Sequence, residues 1–484
     1  MDKPYAPLPG PDYIRLLDVN VRKNWFGPQV ICDFRTVPLD DLPEYTAISY
    51  CWGGQAEVAR LQFSDGRHSL PLSQTLSDLF ASLQKRSAKF TIWIDALCIN
   101  QKDLEEKAAQ VRRIGAVFSS AREVLLWLGG SDEVSRDAFR VMRSKESDPA
   151  LLESVFLLLA RPWFRRVWVI QEIAVARRVV VGCGGDRVGF NRFSHCVNAV
   201  WVFFEGLGNL EDDTANRGLW SVTRLIQIRL QYRKHREVAY ESLLEAAFHC
   251  EATDKRDMVF AFRGIADSRP VPQPDYTVLE EEVYIATARA LLCGGDSLDL
   301  LALCGIGSER SPSLPSWAPD LRYHSYAEPL SCCNCAGWDF GGPLQKPPRI
   351  ESSLRLRLQA KLLDVVDVTC PPFDSLSVVD QRAAVSAVSA LRLRLPNHVS
   401  KEEWVDRLVP SLVFGLDIND IPLDEQTTRR YHDSFVEWFQ WLRSSSSQQD
   451  LNKIAHNEYH RTIGPRLDDW MAFMTRRHSF FCSK

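Results

Sequence analysis

The sequence lacks the features that would place it in a special class of protein. Its longest apolar runs, at residues 155–160 and 200–204, fall far short of the ~18 residues that a membrane-spanning helix needs. Its 58 basic and 62 acidic side chains give a net charge of −4, so nothing indicates a nucleic acid or an anionic membrane as partner. No fixed-period repeat is visible, which argues against a solenoid or a propeller. At 484 residues, a globular protein of roughly two to four domains is expected.

The N-terminus also lacks a basic region followed by an apolar stretch, so it does not resemble a secretory signal. The 13 cysteines are spread along the chain and stand mostly in apolar strings, which is typical of reduced, buried thiols. The one cluster, at Cys332, Cys333 and Cys335, has no second Cys or His pair at the spacing of a zinc site. We therefore expect a cytoplasmic protein without a metal site.

An alternation of strand-like and helix-like segments fills the first 190 residues. Near-continuous apolar strands in such an alternation predict an α/β fold with a parallel sheet covered by helices. The strands are predicted at residues 45–52, 90–94, 123–128 and 178–183. The helices are predicted at residues 73–86, 103–119, 131–143, 151–160 and 162–177. Two earlier strands, 13–19 and 29–37, and a hairpin at 61–72 are also expected.

Domain boundaries follow from these patterns and from Pro-rich linkers. Residues 1–43 supply strands that pack on the core, and residues 44–190 form the α/β domain. Residues 191–330 are predicted to be a helical extension. Residues 331–484 are predicted to be mixed and mostly helical.

The sequence is rich in tryptophan, with 14 Trp against 12 Tyr, and four of these tryptophans fall in three segments of distinctive composition. The three segments read Ile48-Ser-Tyr-Cys-Trp-Gly53, Trp93-Ile-Asp-Ala-Leu-Cys-Ile-Asn-Gln101 and Arg161-Pro-Trp-Phe-Arg-Arg-Val-Trp-Val-Ile-Gln-Glu172. In order and spacing they resemble the heterokaryon-incompatibility (HET) domain of filamentous fungi. Weaker matches follow at residues 254–264, 274–276 and 317–320.

This resemblance implies a role in self/non-self recognition after hyphal fusion and in triggered cell death. It also implies self-association, or another incompatibility protein, as the partner. Lys107, Ile114 and Phe118 depart from the residues usual in the family. Residues 478–484 resemble the start of a segment that usually continues, so a truncated C-terminus is expected.

The HET domain is thought to be distantly similar to TIR domains, which have a flavodoxin-like fold and some of which cleave NAD. The run from Trp168 to Glu172 has the Trp-to-Glu spacing of the TIR catalytic helix. The resemblance therefore implies that Glu172 is catalytic and that NAD is a substrate, with no cofactor required. A carboxylate beside the ribose can stabilise the oxocarbenium-like state through which the nicotinamide–ribose bond breaks.

Ligands of parallel α/β sheets bind at the carboxyl ends of the strands. The candidate ligand-binding residues at or near these ends are Ser49, Tyr50, Trp52, Gly53, Asp95, Asn100, Arg165 and Trp168.

Each candidate also has a structural interpretation. Glu172 could pair with Arg165 or Arg166, Asp95 could cap a turn, and Trp168 could belong to the core. Two mechanisms stay open, an enzyme that cleaves NAD and a non-enzymatic module that self-associates or recruits a partner. A Glu172 that faces a pocket at the strand ends favours the enzyme, and a Glu172 sealed in an ion pair favours the module.

Overall fold

The computed structural model describes residues 5–24, 27–52, 56–85, 89–144, 149–205, 213–248, 250–295, 298–304, 311–322, 348–352, 355–358, 366–369 and 481–483. The chain divides into two compact units. The first comprises Met1–Trp201, Asp212–Leu291 and Asp320–His324, and the second comprises Val202–Glu211, Leu292–Pro319 and Ser325–Lys484.

One mixed sheet organises the first unit. Its strands are β1 (Tyr13–Asn24), β2 (Gly27–Pro38), β3 (Thr46–Tyr50), β4 (Ala59–Phe63), β5 (Ser69–Leu72), β6 (Lys89–Trp93), β7 (Glu123–Trp127), β8 (Val179–Cys183) and β9 (Asp186–Gly189). They lie in the order β5-β4-β2-β1-β6-β3-β7-β8-β9. The central strands β6, β3, β7 and β8 are mutually parallel, as predicted from their apolar runs.

The prediction of a parallel sheet is wrong for most pairings outside this centre, where only β2 and β4 of the described strands pair parallel. β1 and β2 pair antiparallel over their full length, and β1 joins the sheet by pairing antiparallel with β6. At the other edge, β9 turns back on β8, also antiparallel. A short connection between successive strands allows only antiparallel pairing, whereas a parallel pair needs a long crossover. The N-terminal strands therefore extend the same sheet.

Helices connect and follow the strands. In chain order they are α1 (Gln74–Gln84), α2 (Asp95–Cys98), α3 (Leu104–Val111), α4 (Ile114–Ser120), α5 (Glu133–Arg143), α6 (Pro149–Leu158), α7 (Trp168–Val175), α8 (Phe190–Glu205), α9 (Asp213–His235), α10 (Tyr240–Ala247), α11 (Asp257–Phe260) and α12 (Glu280–Gly294). Within the parts of the chain described, no helix has both the length and the apolarity to cross a membrane.

Two predicted helices are each interrupted. The helix predicted at 103–119 begins after its predicted cap, Asp103, whose side chain accepts from the Glu106 N–H, but it breaks between α3 and α4. The helix predicted at 162–177 is a 3₁₀ turn at Pro162–Arg165 followed by α7. Between them the chain is extended at Arg166, because its backbone pairs with that of Glu251.

In the second unit, β10 (Arg349–Ser352) pairs with β11 (Arg355–Arg357), and β12 (Val366–Thr369) pairs with β13 (Phe481–Ser483). Most of the region predicted to be mixed and mostly helical, residues 331–484, lies outside the described residues. So do Gly53 and the three clustered cysteines.

Candidate functional site

The carboxyl end of β3 lies in the middle of the sheet, between β6 and β7. Ala47, Ile48, Ser49 and Tyr50 are all buried, so this strand carries a hydroxyl into the core. The indole Nε1 of Trp163 donates to Ser49 Oγ over 3.0 Å. Because a buried hydroxyl is rarely left without a partner, this bond fixes Ser49 and leaves its own proton for a second acceptor.

Glu172 lies on α7 beside Ser49 and exposes only 5% of its surface. Burial raises the pKa of its carboxyl from 4.5 to about 7, and the negative charge of Asp95 adds to this rise. The Arg166 guanidinium and the Ser49 hydroxyl act in the opposite direction and lower the pKa. Its Oε2 atom has no hydrogen-bond partner, and no basic side chain of the described residues forms an ion pair with it. A carboxyl of this kind exchanges its proton near neutral pH, as a general acid or base must.

Arg166 is the cation at these strand ends. Its guanidinium donates to the Tyr50 carbonyl at the end of β3. Its positive charge partly offsets the rise that burial causes in the pKa of Glu172 and of Asp95. The extended backbone at Arg166 is what turns its side chain toward the sheet.

The structure places the predicted Arg165 elsewhere. Its Nε donates to Glu251 over 3.1 Å, and its Nη1 donates to the Ala160 carbonyl over 2.8 Å. Arg217 contacts the same Glu251 oxygen at 3.0 Å. Arg165 therefore ties the 3₁₀ turn to the helices that follow it. The sequence could not show which of the two adjacent arginines faces the sheet, because that depends on where the helix is interrupted.

Asp95 follows β6 and begins α2. Its Oδ1 accepts from the Ala96 N–H over 2.7 Å, and its Oδ2 accepts from Trp52 Nε1 over 2.8 Å. Burial raises the pKa of Asp95, against the lowering influence of Arg166 and of these two hydrogen bonds. Trp52 is 41% exposed, so it covers Asp95 from the solvent side. We call Ser49, Tyr50, Asp95, Arg166 and Glu172 the strand-end cluster.

Asn100 stabilises the loop after α2 through hydrogen bonds. Its side-chain oxygen accepts from the Lys102 N–H at 3.4 Å, and its own N–H donates to Glu106 over 2.8 Å. The neighbouring Gln101 donates through Nε2 to the Asp95 carbonyl over 3.0 Å. These bonds hold the loop that carries Asp95, which is the structural role the sequence left open for Asn100.

Trp168 joins α7 to the downstream segment at residues 254–264. Its Nε1 donates to Asp257 Oδ2 over 3.0 Å, and the Tyr276 hydroxyl donates to the other oxygen of Asp257 over 2.7 Å. One turn along α7, Gln171 Oε1 accepts from the Gly264 N–H over 3.0 Å. The α7 helix thus contacts both the strand-end cluster and this segment.

The cluster brings together two carboxyls of raised pKa, a guanidinium and a hydroxyl at the end of a parallel strand. Such a set can take up and release a proton and can stabilise a positive charge that develops on a bound sugar. Within the described ranges, no group of three His, Cys, Asp or Glu side chains is placed to hold a metal ion.

Comparisons with known proteins identify the segment that holds this cluster. Residues 45–172 match the family model of the Heterokaryon incompatibility protein (HET). The chain is also 27% identical to Heterokaryon incompatibility protein 6, OR allele, of Neurospora crassa, over 64% of this chain and 57% of that protein. The chain thus spans little more than half of that relative. No solved structure matches the chain.

Proposed function

We propose, on the premise that residues 45–172 are a heterokaryon-incompatibility (HET) domain, that the chain acts in self/non-self recognition and programmed cell death in a filamentous fungus. The name of the Neurospora protein supports the first part of this proposal. The proposed chemistry is cleavage of NAD by a TIR-like site centred on Glu172. One observation carries it, the buried carboxyl of Glu172 with its unpartnered oxygen and a pKa near 7.

The topology supports a TIR-like site. The four parallel strands β3, β6, β7 and β8 are first, second, third and fourth along the chain. Across the sheet they lie as β6-β3-β7-β8, which is the order 2-1-3-4. Flavodoxin-like sheets begin with this order and bind ligands where the order reverses, beside the first strand. In this chain the first parallel strand is β3, and the strand-end cluster lies at its carboxyl end.

The proposed reaction uses water as the co-reactant. The nicotinamide–ribose bond breaks and its electron pair leaves on the nicotinamide nitrogen. A water oxygen bonds to the ribose carbon and gives its proton to the Glu172 carboxylate, which then releases it to solvent. Arg166 lies where it can pair with a phosphate oxygen. A ligand that binds Asp95 Oδ2 must displace the indole N–H of Trp52, which donates to that oxygen.

A second candidate function is a non-enzymatic module that self-associates or recruits a partner. The 5% exposure of Glu172 favours it, because a carboxyl so deeply enclosed can also serve only to fix α7 against β3. In this case the strand-end cluster is structural.

The test incubates the purified full chain with NAD and follows release of nicotinamide. Glu172→Gln keeps the shape of the side chain and removes its proton exchange, and Glu237→Gln changes an exposed carboxyl as the matched control. We expect release by the wild type and the control, and a fall of about 10²–10⁴-fold in Glu172→Gln. Equal, nonzero release by all three proteins would exclude Glu172 as the catalytic residue, and no release by any of them under conditions that promote association would exclude the enzyme.

Overexpression in a fungal host separates the two candidates further. Growth arrest by the wild type but not by Glu172→Gln supports the enzyme. Arrest by both proteins supports the module.

A further inference from the structure

A cavity of about 430 Å³ lies in the first unit, on the side of α7 that faces the segment at residues 254–264. Its lining includes the charged, aromatic and amide side chains of Arg112, Trp168, Gln171, Tyr232, Phe260 and Arg263. None of the five residues of the strand-end cluster lines it. Its volume falls within the ~300–1,000 Å³ that small-molecule sites occupy.

The charges of the lining select an anion. Two arginines line the cavity and no Asp or Glu does. Arg263 donates through Nη1 to the carbonyls of Val271 and Pro272, at 3.0 and 2.7 Å, which fixes its guanidinium at the wall. Arg112 is exposed, and its guanidinium has no hydrogen-bond or ion-pair partner among the described residues. A guanidinium with free donors is suited to bind a phosphate or carboxylate.

The aromatic residues of the lining select a planar ring. Phe260 is buried, and Trp168 and Tyr232 are half-buried, so each keeps part of its ring in the core. The hydrogen bond from Trp168 to Asp257 holds the indole in place. Rings fixed in this way offer stacking surfaces without a further loss of side-chain freedom.

Gln171 provides a donor for an acceptor atom on that ring. The side chain is 4% exposed, and its Oε1 is taken by the Gly264 N–H. Gly264 has no Cβ, which would stand 2.7 Å from that oxygen, so the close approach requires glycine. In the described residues nothing accepts a hydrogen bond from Gln171 Nε2, so this donor is available to a ligand in the cavity.

We infer that this cavity binds a small molecule that joins a planar, hydrogen-bond-accepting ring to an anionic group, of the size and chemistry of a nucleoside monophosphate. The ring lies among the aromatic side chains and accepts from Gln171. The anionic group pairs with Arg112 and Arg263. Because α7 supplies Trp168 and Gln171 to this cavity and Glu172 to the strand-end cluster, a ligand here contacts the same helix as the proposed catalytic site.

Isothermal titration of the full chain with AMP, adenosine and inorganic phosphate tests the inference. We expect AMP to bind more tightly than either of its parts, because only AMP engages both the aromatic and the cationic walls. Arg112→Gln should weaken AMP binding about tenfold, the effect of losing one charge-assisted hydrogen bond. Arg140→Gln, which changes an exposed arginine outside the lining, is the matched control and should leave binding unchanged.

A second variant tests the location. Ala116 lines the cavity and is exposed, so Ala116→Phe should fill the space and abolish AMP binding while the circular dichroism spectrum stays unchanged. Absence of AMP binding, equal affinity for adenosine and AMP, or unchanged binding in Ala116→Phe would each overturn the inference. Glu172→Gln should bind AMP like the wild type, so failure of NAD cleavage leaves this test intact.

Discussion

Neutralising Glu172 should stabilise the protein at alkaline pH, although the side chain is buried in a polar cluster. The pKa of this carboxyl is raised from 4.5 to about 7 by burial. Between these two values the folded protein holds a proton that the unfolded chain has released. The free energy of unfolding therefore falls as the pH rises through this window.

The magnitude follows from the same values. A difference of one pH unit in pKa corresponds to 1.36 kcal/mol, so the full penalty on the wild type is about 3 kcal/mol above pH 7. Glu172→Gln mimics the protonated, neutral side chain and carries no such penalty. The variant should match the wild type near pH 4 and exceed it in unfolding free energy by about 3 kcal/mol at pH 8.

Urea unfolding followed by tryptophan fluorescence, at several values from pH 5 to pH 8, measures this difference. Trp93, Trp127 and Trp163 are all buried and report on the sheet. Asp95 also has a raised pKa, but it is present in both proteins and largely cancels from their difference. Glu237→Gln is the surface control and should give a difference that does not change with pH. A flat difference for Glu172→Gln, or a variant less stable than the wild type at pH 8, would refute the reasoning.

Two further predictions concern the scaffold. Arg15 is 2% exposed and makes two bonds to Glu106, at 2.5 and 2.8 Å. Arg15→Met should therefore lower the unfolding free energy by about 3–5 kcal/mol, because the enclosed carboxylate of Glu106 loses its counter-charge. Urea titration should show much of this loss recovered in Arg15→Met/Glu106→Leu, and an equal loss in the double variant would contradict the argument. In α9, Gly218→Ala would drive a methyl group into the Leu159 carbonyl, which should destabilise the protein by about 1–3 kcal/mol or more. A thermal melt measures this loss, and an unchanged melting midpoint would disprove the contact.

The strands at the centre of the sheet were predictable because their residues are apolar on both faces. β3, β6, β7 and β8 all lie within one or two residues of their predicted ranges. The hairpin of β4 and β5 was predicted, but the antiparallel pairings of β1 and of β9 were missed, because apolar runs do not record the direction of pairing, which depends on the length of each connection. The break between α3 and α4 was missed because the apolar stripe of residues 103–119 continues through it.

In the candidate site, too, some features were predictable from the sequence and others needed the structure. The sequence indicated Ser49, Asp95 and Glu172 through three separated segments, and the structure brings them together at the end of β3. It places Arg166 there instead of Arg165, which pairs with Glu251. Their roles in catalysis or binding stay predictions. The cavity beside Gln171 had no signal in the sequence, because its walls come from α3, α4, α7, α9 and the segment after α11.

The sequence by itself indicated a resemblance to the HET domain, which the family model matches over residues 45–172, and an alternation of apolar strands with helices. Both depend on the identity and spacing of residues near one another in the chain. Only the tertiary structure decided which arginine faces the carboxyls and how far burial raises the pKa of Glu172. Desolvation and charge act through space between groups more than 100 residues apart in sequence, such as Ser49 and Glu172. No local pattern records them.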